Sequence, residues 1–167
     1  NETCYYFTTS HGDLKEPLNL LIDFVQDLRI TEESVEKEKG IINQELKMYL
    51  QMPDSRLIFE TFKALYHKHP LNRDIGGDEK SVNATTRQLL EDCYKLNYHP
   101  SRMTLIVAGP QKPQTLLEWI EENQKAKSFE SVKDVARYLE EEPETVVSSH
   151  VVIPMDVAVH KVSVAYK

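Results

Sequence analysis

The sequence predicts an α+β fold, on two observations. Four runs rich in aromatic and β-branched residues, at 3–9, 103–108, 146–153 and 157–166, have the composition of strands. Around them, apolar residues recur three and four positions apart in five stretches, the spacing that gives a helix one buried face.

The first run, Thr3 to Thr9, stops at Ser10-His11-Gly12-Asp13, a strand followed by a turn. From about Glu16 to Leu28, the residues Leu18, Leu21, Ile22, Val25 and Leu28 mark an amphipathic helix. Its start is open: Pro17 suits the first helical position, whereas Asp13 with Glu16 three residues on suits a capping box. A second helix begins after Thr31, a good N-cap, with Glu32, Glu33 and Glu36 in the turns where the helix dipole favours negative charge. It runs to about Gln51, before Pro53. A third, about Ser55 to Tyr66, turns Ile58, Phe59, Phe62, Leu65 and Tyr66 inward, and a loop follows through His69-Pro70 and Gly76-Gly77. Thr85 with Gln88 opens a fourth helix whose stripe is Leu89, Cys93 and Leu96. Met103 to Ala108, bounded by Gly109-Pro110, reads as a buried strand, and a fifth helix from about Pro113 to Lys127 buries Leu116, Leu117 and Ile120. Residues 128–145 turn polar around Glu140-Glu141-Glu142-Pro143-Glu144 and read as an exposed linker before the last two β-rich runs.

With 167 residues, 40% hydrophobic and 28% charged, the chain is long enough for a domain with a real core. A net charge of -7 argues against a nucleic-acid partner, since phosphate binding is driven by clustered Lys and Arg. Cys4 and Cys93 form no framework and no C-x-x-C pair, so the reducing cytosol is the simplest location. No apolar run approaches the roughly 20 residues that span a bilayer, so no membrane partner is expected. The polar start is neither a signal nor a transit peptide, and a strand already under way there reads as an internal piece of a longer protein.

One helix carries chemistry. At 100° per residue, Val35, Ile42, Leu46 and Tyr49 of the second helix form an apolar stripe, and Glu38 and Glu45 fall on it, roughly 10 Å apart by helical rise. A carboxylate on a core-facing stripe is costly unless it is paired, protonated or bound to a metal. The wheel leaves those alternatives open: the two acids could flank the stripe, pair with Lys39 or Arg56, or bind a cation. Gly40 in the helix interior suggests close approach by a neighbouring backbone. His67 and His69 read as an exposed loop, His99 as a turn residue, and His150 and His160 as strand positions.

The segment from Val35 to Tyr49, V-E-K-E-K-G-I-I-N-Q-E-L-K-M-Y, resembles the helix that follows the catalytic motif in insulinase and pitrilysin family zinc metallopeptidases. The likeness extends along the first two thirds of the chain. Residues 1–8 are similar to the family's T-x-Y-x-F strand, His69-Pro70 with Ile75-Gly76 to its H-P…I-x-G loop, and Leu89 to Tyr94 with Tyr98-His99-Pro100-Ser101-Arg102-Met103 to its L-x-x-x-Y and Y-x-P-S-N-M elements. Arg102 stands where the family has Asn. The likeness is in particular to bacterial cytosolic members.

The resemblance implies an antiparallel sheet with helices packed mainly on one face, cut at both ends. Residues 1–127 would be the later part of one half-domain, 128–145 a linker and 146–167 the start of the next. It also implies that Glu45 is the distal zinc ligand and Glu38 an acid supporting it. The other ligands of this family, two histidines, and its general base, a glutamate, lie in H-x-x-E-H. None of His11, His67, His69, His99, His150 and His160 forms that motif, so this piece would neither bind zinc nor hydrolyse peptides alone. The implied parent cleaves peptide substrates in a chamber closed by a second homologous half or subunit; the alternative is a non-catalytic structural or substrate-binding subunit. Sheet edges exposed at the cuts would favour self-association.

Overall fold

A computed structural model describes residues 1–167 except Asn1, His11, Lys133, Ala136, Arg137 and Leu139. Part of the turn at 10–13 and of the linker at 128–145 therefore lies outside the described residues. The elements are α1 (Lys15–Gln26), α2 (Glu32–Gln51), α3 (Pro53–Leu65), α4 (Glu79–Ala84), α5 (Arg87–Asn97) and α6 (Pro113–Lys125), with short 3-10 turns at Pro70–Asn72 and Pro100–Arg102. They fall into two compact units, residues 1–30 with 87–135 and residues 31–86 with 136–167. No helix among the described residues is long and apolar enough to cross a membrane.

The α+β expectation is overturned: no strand occurs among the described residues. A strand is a property of two backbones, because its N–H and C=O groups need a neighbouring ladder that composition does not supply. The runs read as strands carry suitable side chains and lack that ladder. Ile106 is 86% exposed and Val162 83%, so the run at 103–108 is not the buried strand its composition predicts. Where these runs do bond, they bond elsewhere: the Ser148 amide donates to the Ala64 carbonyl at 3.0 Å, at the end of a helix.

In the first unit, Leu14, Leu18 and Ile22 lie one turn apart and form the buried face of α1, which packs on α6. Asp13 accepts from the Lys15 amide at 2.9 Å, and the helix begins there without a side-chain N-cap, between the two starts the sequence leaves open. Polar side chains line the α1–α6 seam. Lys15 pairs with Glu122 at 2.7 Å, Lys127 with Asp23 at 2.6 Å, and the Gln26 and Gln124 amides exchange hydrogen bonds at 3.1 and 2.9 Å. Hydrogen bonds from Lys127 and Asn123 hold the Asp23 carboxyl below its ordinary range. The buried stripe predicted for α5 is corrected: Leu89, Cys93 and Leu96 are exposed, while Tyr94 turns inward and donates from its hydroxyl to the Val25 carbonyl at 2.6 Å. Leu117 of α6 is likewise exposed, whereas Leu116 and Ile120 are half-buried.

The second unit is built on α2, α3 and α4, with Val35, Leu65 and Val82 buried. Thr31 caps α2 as the sequence predicts. Its hydroxyl accepts from the Ser34 amide and the Ser34 hydroxyl accepts from the Thr31 amide, both at 3.0 Å. Thr31→Ala is expected to cost about 1 kcal/mol, read as a lower denaturation midpoint with faster amide exchange in the first turn of α2. An unchanged midpoint would show that the cap is dispensable. The short helix α4, which the sequence reading missed, is capped the same way by Asp78 and Ser81.

Candidate metal-ligand site on α2

The residues around Glu45 are assembled by three segments of the second unit. Helix α2 contributes Ile42, Glu45, Leu46 and Tyr49 along one face. Helix α3 starts at Pro53, a residue suited to a first helical position, and turns Ser55, Ile58 and Phe59 toward them. The third wall is the loop Asp74-Ile75-Gly76, and together they line an open pocket of about 380 Å³.

The loop comes close to α2 at Gly76. A Cβ there would stand 2.9 Å from Cδ2 of Leu46, the residue after Glu45, and a second contact at 3.4 Å would be with Asp74 itself. The loop is held in shape by Asp74, which accepts from the Gly76 amide on Oδ1 at 2.9 Å and from the Gly77 amide on its carbonyl at 3.0 Å. Gly77 adopts φ 79°, the left-handed region that favours glycine. Beyond it, α4 is tied back to α2 by Asn43 with Asn83 at 2.9 Å and Lys47 with Glu79 at 3.4 Å. The close approach expected at Gly40 is not found: its Cβ position meets nothing within 4 Å. It is at Gly76 that backbone and helix meet.

Glu45, itself solvent-exposed, lines this pocket together with one other carboxylate, Asp74. The cations that could have neutralised it are engaged elsewhere, Lys39 with Glu36 at 2.6 Å and Arg56 with Glu60 at 3.6 Å. Glu38 is exposed two turns earlier on α2. A carboxylate facing a pocket without a competing cation suits one ligand of a divalent metal. The donor set is nonetheless incomplete, since the described residues hold no group of three or more His, Cys, Asp or Glu able to bind a metal. His69 and His99 are engaged locally, their Nδ1 atoms accepting from the Leu71 and Ser101 amides at 3.2 Å. Asp74 and Ser55 belong to this site and were not singled out from the sequence, because only the folded loop and the α2–α3 packing bring them beside Glu45.

Two family models match the chain, the insulinase family (peptidase family M16) over residues 1–79 and the peptidase M16 inactive domain over residues 84–167. The chain belongs to the insulinase family. Among its relatives is the uncharacterized zinc protease YmfH of Bacillus subtilis, 39% identical over 165 residues, which covers 99% of this chain and 38% of that protein. The mitochondrial-processing peptidase subunit beta of Neurospora crassa is 28% identical over 120 residues, 70% of this chain and 24% of that protein. In crystal structures, an M16-like peptidase from Alicyclobacillus acidocaldarius superimposes with a TM-score of 0.80 at 43% identity, covering 83% of this chain and 33% of that one. A Helicobacter pylori protease at 20% identity, with a TM-score of 0.72 over 78% of this chain and 32% of that one, shares the fold. The chain therefore spans well under half the length of the relatives it matches.

Proposed function

We propose that this chain is part of a zinc-dependent peptidase and supplies the distal metal ligand, Glu45, with Glu38 supporting it from one side. The observation that carries this reading is Glu45 itself: an exposed carboxylate that lines a pocket beside Ile42 and Leu46 and has no ion-pair partner among the described residues. Family membership and relatives named as zinc proteases support it. Two histidines and the general base would come from an H-x-x-E-H segment outside these residues, so the 167-residue chain alone is proposed to be inactive and to bind no zinc tightly.

In the whole protein, bound zinc would supply Lewis acidity, polarising a scissile carbonyl and acidifying water. This chain's residues do the rest of what falls to it. Glu45 offers an anionic oxygen and, through α2, a fixed direction for it. Ile42, Leu46, Ile58, Phe59 and Ile75 offer an apolar surface beside it to a peptide side chain. The test is zinc content in the full-length protein: one zinc per chain, lost on Glu45→Gln. A variant that keeps its zinc sinks the assignment.

Residues 84–167 match the family's inactive domain, which favours a second role for that part, structural or substrate-binding rather than metal-ligating. The cytosol remains the proposed location, and the proposed partners are a peptide substrate and a second homologous half or subunit. Exposed Ile75, Val159, Val162, Val164 and Tyr166 give the isolated chain apolar surface for self-association. Sedimentation of the chain should show mass rising with concentration; a single monomeric species throughout would refute this.

A further inference from the structure

The acidic stretch at 140–144 does not simply face solvent. The Glu142 carboxylate accepts from three consecutive backbone amides, His67 at 2.8 Å on Oε1 and Lys68 and His69 at 2.7 Å on Oε2. Lys167 donates to Glu142 Oε1 at 2.6 Å and to the Pro143 and Thr145 carbonyls, with its ammonium 5.5 Å above the Tyr66 ring. Both charged side chains are only 15% exposed. Around this centre, Lys68 pairs with Glu140 at 3.5 Å and the Ser148 amide caps the Ala64 carbonyl. At the other end of α3, Lys161 pairs with Asp54 at 2.7 Å. Residues 140–167 therefore grip α3 at both ends.

An anion just past the C-terminus of a helix opposes the helix dipole. Here three amides turned toward one carboxylate and a nearly enclosed ammonium outweigh that opposition. The place matters for the pocket. Residues 67–69 join α3, which carries Ser55, Ile58 and Phe59, to the loop that carries Asp74, Ile75 and Gly76, so two of the three walls beside Glu45 diverge from this junction.

We infer that Glu142, held by Lys167, is a positioning residue that fixes the junction of α3 with the 74–76 loop and thereby sets the width of the pocket beside Glu45. The effect on substrate rests on the peptidase reading; the effect on structure does not. Desolvation works to raise the Glu142 pKa, but the Lys167 ammonium and the three amides lower it from the usual 4.5 to about 2. A carboxylate shifted in that direction strengthens the folded state above its unfolded pKa and loses that contribution as pH falls through the folded one. The clasp is therefore closed across the neutral range. The charged and titratable groups facing it are Lys167, Lys68 with Glu140, and the Tyr66 and His69 side chains, the His69 ring lying against that of Tyr66.

The test uses the full-length protein with Glu142→Ala and, separately, Lys167→Met, read by amide exchange and by peptide kinetics. Exchange at residues 67–69 should accelerate about tenfold or more as the charge-assisted bonds are lost, and residues 55–59 and 74–76 should follow. KM for a peptide should rise about tenfold with kcat and zinc content kept, as when binding alone is impaired. Lys167→Arg should retain the wild-type values, whereas Glu142→Lys combined with Lys167→Glu should not restore them, because three of the four donors are backbone amides. Acceleration confined to 67–69 in both variants, an unchanged KM, or rescue by the reversed pair would overturn the proposal. If the full-length wild type binds no zinc and cleaves no peptide, the peptidase reading fails, and amide exchange alone still decides the clasp.

Discussion

Glu45→Gln in the full-length protein is expected to lower kcat/KM for peptide hydrolysis by more than about 100-fold, beyond what loss of a supporting residue at a metal site costs, together with loss of bound zinc. The substitution keeps the side chain's size and removes its negative charge. Because Glu45 makes no hydrogen bond or ion pair among the described residues, the fold has nothing to lose with it. With both proteins stripped of zinc, stability should stay within about 0.5 kcal/mol of wild type, as for a substitution that breaks no structural contact, whereas with zinc present the loss of the metal lowers the midpoint of the variant. Glu38→Gln separates the two roles. A supporting acid should cost about 10- to 100-fold in zinc affinity or activity, and a solvated surface glutamate nothing. Elemental analysis of both variants beside their kinetics distinguishes the outcomes, and full zinc with full activity in Glu45→Gln would remove the residue from the site.

What the sequence makes legible is local. Helix α2 follows from Thr31, the acids behind it and the apolar spacing up to Pro53, and it forms within a residue of those bounds because capping and periodicity act within a few positions. Helix α4 has the same signal in Asp78 and Ser81, but six residues are too few for periodicity to show. The inward face of α5 is not legible. It turns Tyr94 inward for a hydrogen bond to Val25, 69 positions away, and that contact, rather than the spacing of Leu89, Cys93 and Leu96, sets its rotation. Composition misleads most in the β-rich runs, since aromatic and β-branched side chains encode suitability for a sheet and not the presence of a partner.

The candidate site divides in the same way. Glu45 stands out in the sequence because its helix fixes its face. Asp74 and the pocket depend on a loop that passes close to Leu46 at Gly76 and turns at Gly77 with a positive φ. Glu142 is concealed for a different reason. Inside a run of acids it reads as solvated, and the amides that hold it are 73 to 75 positions away along the chain.

Leu18→Ala should have the largest effect on stability, a loss of about 2–5 kcal/mol from transfer and cavity terms together. Leu18 is 2% exposed and is the one side chain fully enclosed among the described residues, with Leu14 and Ile22 a turn to either side. How much is lost depends on whether α1 can settle into the space. The seam resists this: Lys15–Glu122 at the start of α1 and Asp23–Lys127 with the reciprocal Gln26–Gln124 amides at its end fix α1 against α6 and the residues just after it, so sliding to fill the hole would break them. Each exposed ion pair contributes little alone, about 0–1 kcal/mol, but collapse would forfeit them together, which places the expected loss in the upper half of the range. Denaturation of the full-length protein gives the magnitude, and amide exchange locates it, with acceleration in α1 and α6. Slow exchange persisting in both helices, or a loss below about 1 kcal/mol where a large-to-small core substitution should exceed it, would show that the space collapses freely and that Leu18 does not hold this unit together.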